Sequence, residues 1–138
     1  MKSVYILDAC ALIAYFNDEQ GADVILDCLQ GLSDGSVMLL MHKINLLEVY
    51  YGFYRERGKT LANEMFIDVI TSGISIIDNI SNAVFATAGR LKSSHKISLG
   101  DAVLLAQASA SGAAVLTCDH HEFEPISLIE SIDFKWIR

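Results

Sequence analysis

The sequence is short of proline, of cysteine and of long apolar runs: 138 residues include one proline and three cysteines. One proline and no low-complexity tract exclude a proline-rich linker and a disordered chain. The cysteines, Cys10, Cys28 and Cys118, are odd in number and lack C-x-x-C spacing, which argues against a disulfide framework and a structural zinc site. No apolar run approaches the roughly 20 residues of a membrane helix, and the first residues do not resemble a signal peptide. We therefore expect a cytoplasmic protein with no membrane partner.

Basic residues are also few. Ten Lys and Arg stand against 17 Asp and Glu, a formal net charge of −7. This balance argues against a nucleic-acid binder, whose affinity comes largely from phosphate contacts. The objection weakens if several acids gather at a metal site, because bound cations cancel their charge. With 52% apolar and 20% charged residues, the chain is expected to form one globular domain over 1–138.

Short apolar runs alternate with helical patterns along the chain. Strands are predicted at 4–7, 37–41, 74–77, 113–117 and 134–137. Helices are predicted at 9–16, 19–32, 44–54, 61–73, 80–93 and 99–111, with a charged turn at 55–59. Strands that are apolar on both faces and alternate with helices indicate an α/β fold, with a central, mostly parallel sheet of four or five strands flanked by helices.

Acids follow several predicted strands. Asp8 ends the first strand, Asp78 follows the third, and Asp119 follows the fourth. In open α/β sheets the ligand crevice lies beyond the carboxyl ends of the strands. These acids are therefore candidates for a functional site.

Each acid also has an ordinary explanation. Asp8 has the right position to cap the helix that follows it. Asp101 follows Ser98 at capping-box spacing, and Asp119 with Glu122 has the spacing of a second cap pair at a short helix. Taken singly, none of these residues requires a catalytic role.

Taken together, four acids predict a metal site. Glu48 lies one helical turn after Asn45, on the same helix face, in the helix that leaves the second strand. If the strands are neighbours, Glu48 meets Asp8, Asp101 and Asp119 at one end of the sheet. Such carboxylates repel one another, and a divalent cation removes that cost. Oxygen ligands without accompanying His or Cys suit Mg²⁺ or Mn²⁺, which activate water for phosphodiester cleavage.

Four segments carry a resemblance to a known family: VYILDACALIAYFND (4–18), NLLEVYYG (45–52), ISLGDAVLLAQA (97–108) and GAAVLTCDHHEF (112–123). In this order and spacing they resemble the PIN-domain ribonucleases, most of all the single-domain VapC-type toxins of toxin–antitoxin pairs. The resemblance spans nearly the whole chain. It implies a PIN-like fold, Mg²⁺- or Mn²⁺-dependent endonucleolytic cleavage of RNA, a homodimer, and inhibition by a cognate antitoxin protein.

The resemblance also implies roles for particular residues. The catalytic, metal-holding acids correspond to Asp8, Glu48, Asp101 and Asp119, and the supporting residues to Asn45, Thr117 and Glu122. Two positions depart from the family pattern. Cys10 replaces a Ser or Thr that supports the site, and a thiol is a weaker hydrogen-bond partner. Gly100 replaces the more usual Ala, which should cost little in the first turn of a helix.

A basic segment and the histidines have several interpretations. Arg90, Lys92 and Lys96 form the densest basic stretch and lead toward Asp101, so they are either a solvated helix end or an RNA contact. The histidines have no metal-binding motif spacing and are expected to be structural or exposed; they are His42, His95, His120 and His121. The aromatic residues fit helix packing faces, and some of them would suit a dimer or antitoxin surface; they are Tyr15, Phe16, Tyr50, Tyr51 and Tyr54.

Three alternative functions remain open at this point. A PIN-domain nuclease could act in RNA maturation and not as a toxin. A PIN fold could bind RNA or protein without cutting. A receiver-type signalling module would use acids at strand ends with Mg²⁺ and could accept phosphate at Asp78, but it needs paired acids after the first strand, where this chain has Asp8 followed by Ala9.

Overall fold

The computed structural model describes residues 2–138, in which five strands alternate with seven helices. The strands are β1 Ser3–Leu7, β2 Val37–His42, β3 Ser75–Ile77, β4 Ala114–Thr117 and β5 Phe134–Trp136. The helices are α1 Ala9–Phe16, α2 Ala22–Ser33, α3 Lys43–Arg57, α4 Lys59–Thr71, α5 Asn82–Ser94, α6 Leu99–Ser111 and α7 His120–Ser127. The predicted α/β class is confirmed.

The five strands form one sheet in the order β3-β2-β1-β4-β5, and every neighbouring pair is parallel. β1 is central and pairs with β2 on one side and β4 on the other. The chain therefore places β2 and β3 on one side of β1 and then crosses over to place β4 and β5 on the other side. The strand order reverses between β1 and β4, and such a switch point opens a crevice at the carboxyl ends of the two strands.

The strands are apolar on both faces because helices cover both sides of the sheet. In β1, Leu7 packs in the core beneath α1–α4, while its neighbour Ile6 packs in the core beneath α5–α7. β4 repeats the alternation, with Leu116 in the first core and Val115 in the second. Both cores are fully buried, which holds the strand ends in fixed positions.

The prediction of a charged turn at 55–59 is wrong, because only Gly58 interrupts the helical structure there. α3 continues to Arg57 because each arginine lies over an aromatic ring one turn earlier: Arg55 is 5.4 Å from the centroid of Tyr51, and Arg57 is 5.0 Å from that of Phe53. The break comes at Gly58, whose φ of +91° suits glycine. No helix of residues 2–138 has the length and hydropathy to cross a membrane.

Candidate active site

Asp8 joins the central strand to the first helix, at the point where the strand order reverses. Its backbone N–H continues the β1–β4 ladder by donating to the Leu116 carbonyl at 3.0 Å. Its side chain caps α1 by accepting the Ala9 N–H at 2.7 Å. Only 5% of Asp8 is exposed. The expected capping role is thus present, and it holds a nearly buried carboxylate at the carboxyl end of the sheet.

A hydroxyl and a thiol hold the second oxygen of Asp8. Thr117, fully buried at the end of β4, donates from Oγ1 to Asp8 Oδ2 at 2.8 Å. Cys10 donates from Sγ to the same oxygen at 3.2 Å. Thr117 Oγ1 also accepts the Asp119 N–H at 3.0 Å, which links the next acid to Asp8. The hydroxyl of Thr117 therefore supplies the shorter hydrogen bond, and the thiol of Cys10 adds a longer one.

Asn45 fixes Glu48 against the start of α6. Its Nδ2 donates to Glu48 Oε1 at 3.3 Å and to the Gly100 carbonyl at 3.2 Å. Asn45 is fully buried, so this amide joins α3 to α6 in the interior. A Cβ added at Gly100 would overlap Glu48 Oε1, the end of a flexible side chain, so this carboxylate would have to shift. The expectation that glycine costs little in the first turn of α6 stays a prediction.

Asp101 and Asp119 each begin a helix beside an open cleft. The Ser98 hydroxyl caps α6 by accepting the Asp101 N–H at 3.1 Å, and Asp119 caps α7 by accepting the Glu122 N–H at 3.1 Å. Both capping pairs expected from the sequence are present. The cleft between them has acidic and basic walls and is lined by Lys92, Lys96, Ile97, Ser98, Asp101, Asp119 and Glu122.

Burial and mutual repulsion raise the pKa values of Asp8, Glu48 and Asp101. Burial raises the pKa of Asp8 to about 6, although its Thr117 and Cys10 hydrogen bonds oppose the rise. Burial also raises the pKa of Asp101 to about 6, and the charge of Glu48 adds to it. The pKa of Glu48 is raised for the same reason, with a contribution from Asp8. Carboxyls that share a site this closely need a positive charge to remain ionised together.

The residues present fit a hard divalent cation. Among residues 2–138, no ion pair involves Asp8, Glu48, Asp101 or Asp119, so the described side chains leave their charge uncompensated. The donors are oxygens, as Mg²⁺ and Mn²⁺ prefer. Asn45 Oδ1 is buried without a hydrogen-bond partner, an unusual cost that a bound water or ligand would remove. Within the described chain no three His, Cys, Asp or Glu side chains already converge on one point, so the acids are neighbours and not a finished coordination shell.

Other candidate residues lie apart from this cluster. Asp78 follows β3 at the sheet edge, with β2 between it and Asp8, and it is exposed. Three histidines have structural partners: His42 caps α3, His95 contacts Glu130, and His120 stacks on Trp136. The expectation of structural histidines is met at these positions.

The basic stretch divides into two parts. Lys92 and Lys96 line the cleft and are exposed, whereas Arg90 is held by Glu130 in a two-pronged ion pair at 2.9 and 3.2 Å. Sequence spacing alone does not distinguish these three residues, because the partner of Arg90 lies 40 residues away.

The family model of the PIN domain matches residues 5–126, a span that contains all four acids. The chain belongs to the PIN domain family. Its membership, with Asp78 placed apart from the acid cluster, removes the receiver-type alternative. No curated protein matches this PIN domain.

Solved structures share its fold. VapBC2 from Rickettsia felis, bound to a promoter DNA fragment, superposes with a TM-score of 0.74 at 18% identity, covering 96% of this chain and 98% of the other. DNA-bound VapBC from Salmonella typhimurium gives 0.74 at 16% identity over 100% of both chains. Mycobacterium tuberculosis VapC20, a toxin that cleaves the sarcin-ricin loop, gives 0.62 at 12% identity, covering 82% and 87%. At these identities the likeness establishes a shared fold.

Proposed function

We propose that this PIN domain is a Mg²⁺- or Mn²⁺-dependent endoribonuclease that acts in the cytoplasm as the toxin of a toxin–antitoxin pair. One observation carries the proposal: acids from β1, α3 and α6 meet at the strand-order reversal with raised pKa values and no compensating cation among the described residues. Acid pairs with strongly shifted pKa values in a crevice are typical of functional sites.

Asp8 is the central ligand in this proposal. The hydrogen bonds from Thr117 and Cys10 orient its carboxylate, and burial excludes water from its inner side. When bound, a divalent cation supplies an activated water and neutralises the charge that develops on the phosphate. Asp101 and Asp119 hold the cation from the cleft side, directly or through water, with Glu122 close enough to Asp101 to raise its pKa further.

Glu48, on α3, is the fourth proposed metal ligand. Asn45 holds one of its oxygens, so the other oxygen is free for the cation or for a water. Asn45 Oδ1 is buried without a hydrogen-bond partner, so it could accept a hydrogen bond from a bound water. Asn45 and Thr117 are therefore positioning residues, since each acts through a neighbouring carboxylate.

We propose that the RNA backbone contacts Lys92 and Lys96. They are exposed on the wall of the acid cleft and have no ion-pair partner in residues 2–138. In a chain of net charge −7 they offer phosphate groups two positive contacts next to the acids. Replacing both by Gln should weaken RNA binding and reduce the slope of log affinity against log salt by roughly 2.

A matched control is Lys59→Gln, which removes one exposed lysine from the start of α4, outside the cleft. An unchanged salt slope in the Lys92→Gln, Lys96→Gln double variant, with a lowered slope in Lys59→Gln, would place the RNA elsewhere on the surface.

An antitoxin is the expected protein partner, because this fold is shared with VapC chains of toxin–antitoxin complexes. Between α3 and α4 an open apolar groove is lined by Lys43, Leu46, Leu47, Tyr50, Asn63 and Phe66. Leu47 is 52% exposed, so this groove offers apolar surface to a partner. Nearby Tyr51 and Tyr54 are also about half exposed and extend the apolar surface. We also propose that the protein forms a homodimer.

The deciding experiment is cleavage of a total RNA pool by the purified, partner-free protein, with Mg²⁺, with Mn²⁺ and with EDTA, beside Asp8→Asn. We expect discrete products that require both the metal and Asp8. Folding of the variant is checked by circular dichroism, so that a lost product reports the lost carboxylate.

Full activity of Asp8→Asn, or cleavage in EDTA, would refute the assignment. If folded protein cuts nothing, a pull-down from the same pool tests the alternative of RNA binding without cleavage. An adjacent gene for a small protein that binds and inhibits the enzyme distinguishes a toxin from a nuclease of RNA maturation.

A further inference from the structure

Two thiols meet at the acid site, although 108 positions separate them in the sequence. Cys10 lies in the first turn of α1, and Cys118 follows β4. The Cys118 backbone N–H donates to Cys10 Sγ at 3.3 Å. Both side chains are partly exposed and both cysteines are free thiols.

We propose that Cys10 and Cys118 are an oxidation site: peroxide converts this pair of thiols to an intramolecular disulfide, and thiol reductants reverse it. Disulfides in reducing compartments are mostly transient and redox-sensing, which is the behaviour assigned here to this pair.

The fold brings the two cysteines together. β1 and β4 are hydrogen-bonded neighbours, so the sheet itself holds the start of α1 beside the end of β4. Cys10 Sγ lies 3.3 Å from the Cys118 backbone nitrogen. A disulfide here requires the two Cα atoms to lie about 4.4–6.8 Å apart and the two side chains to turn toward each other.

The third cysteine is an internal contrast. Cys28 lies in α2, is 4% exposed and packs in the core beneath α1–α4. It has no thiol neighbour among the described residues. Any oxidant that modifies surface-accessible thiols should therefore spare Cys28.

The chemistry balances with peroxide as oxidant. Burial and the neighbouring Asp8 charge raise the pKa of the Cys10 thiol, so Cys118 is the thiol that reacts first. Its thiolate attacks a peroxide oxygen, the O–O bond breaks, and a sulfenic acid and water (or an alcohol) form. The second thiol attacks the sulfenic sulfur, the S–O bond breaks, and a second water leaves as the S–S bond forms. Two thiols are oxidised by two electrons and one peroxide is reduced.

The disulfide changes the surroundings of Asp8. Cys10 loses the hydrogen that it donates to Asp8 Oδ2 and turns its sulfur toward Cys118. Cys118 directly precedes Asp119, so the same bond acts on the turn that begins α7. Loss of cleavage on oxidation rests on the proposed function, whereas formation of the disulfide does not.

The test treats the wild type, Cys118→Ser and Cys28→Ala with hydrogen peroxide. We expect the wild type to fall from three titratable thiols to one after denaturation, to lose two hydrogens in intact mass, and to yield a linked peptide containing Cys10 and Cys118. Cys28→Ala should form the same linked peptide. Dithiothreitol should restore the thiols, and restore cleavage to its level before oxidation.

Two results would overturn the proposal. One is a wild type that keeps all three thiols at peroxide concentrations that oxidise an exposed thiol. The other is an equal loss of cleavage in wild type and Cys118→Ser, each compared with its own reduced form. If the linked peptide forms but the reduced protein cuts no RNA, the proposed function fails and the oxidation site stands.

Discussion

Two acidic regions of this PIN domain differ in how their charge is balanced. Glu130 lies between Arg90 at 2.9 Å and His95 at 2.9 Å, and these hydrogen bonds lower its pKa to about 2. Asp8 and Asp101 have no cationic partner among the described side chains, and burial raises both pKa values to about 6.

The contrast separates an acid with counter-charges from acids without them. Glu130 joins the loop after α7 to the end of α5, and its counter-charges lie within the chain. Asp8 accepts hydrogen bonds from Ala9, Thr117 and Cys10, but neither Asp8 nor Asp101 has a counter-charge among the described side chains. In the proposed function a divalent cation supplies that charge, so the opposite pKa shifts distinguish Glu130 from the candidate metal ligands.

The largest difference between the regions should appear in catalysis. Asp101→Asn and Glu130→Gln both replace a carboxylate by its amide. We expect Asp101→Asn to lower metal-dependent cleavage at least about 100-fold, because the proposed function makes Asp101 a ligand of the metal. Glu130→Gln should retain cleavage within a few-fold. Equal losses in initial rate with Mn²⁺ would break the distinction.

The next effect concerns stability without metal. A carboxyl whose folded pKa is raised stabilises the fold only while protonated, so this contribution is present below about pH 4 and is lost as pH rises through about 6. In EDTA, we expect the free energy of unfolding of Asp8→Asn, relative to that of the wild type, to rise by on the order of 2–3 kcal/mol between pH 4 and pH 7. Denaturant melts at each pH measure the difference. A constant gap between the two proteins would contradict the raised pKa, and excess Mn²⁺ should abolish the gain.

A smaller effect tests the space that holds Glu48. Gly100→Ala places a methyl where Glu48 Oε1 lies and should lower Mn²⁺ affinity about 10-fold, as loss of a ligand's support typically does. Gly89→Ala is the matched control, because Gly89 is also helical and an added Cβ there meets nothing within 4 Å. Titration followed by electron paramagnetic resonance measures free Mn²⁺. Similar Mn²⁺ affinities of Gly100→Ala and Gly89→Ala would show that Mn²⁺ binding does not depend on the position of the Glu48 carboxylate beside Gly100.

The smallest effect has the opposite pH sign. Glu130 has a lowered folded pKa, so its stabilisation is present above about pH 4.5 and is lost as pH falls through about 2. The gap between wild type and Glu130→Gln should shrink over that window, by no more than about 1 kcal/mol, because Arg90 is largely exposed to solvent. Acid titration of unfolding in EDTA measures it. A gap that widens toward pH 2 would reverse the assignment of the two regions.

The fold was predictable because the strands are apolar on both faces. The two cores beneath the sheet force Ile6 and Leu7, or Val115 and Leu116, to be apolar in succession, and this pattern marks a covered parallel strand. The end of α3 was not predictable in the same way. Charged residues near Gly58 suggest a turn, yet Arg55 and Arg57 stabilise the helix through rings one turn back.

The position of the site was also predictable, and its detailed contacts were not. Asp8 and Asp119 end strands, so the parallel sheet brings them to one edge. The space at Gly100, the orphaned Asn45 oxygen and the pairing of Arg90 depend on contacts between residues 40 or more positions apart. Spacing along the chain carries no signal for such contacts.

The central place of β1 has a consequence for synthesis of the protein. β1 is made first and pairs with β4, whose residues follow more than 100 positions later. Until β4 has left the ribosome, Asp8 lacks the hydrogen bond from Thr117, and Asp119 does not yet exist. A nascent chain therefore has no assembled acid cluster until Thr117 and Asp119 have been made and β4 has joined the sheet.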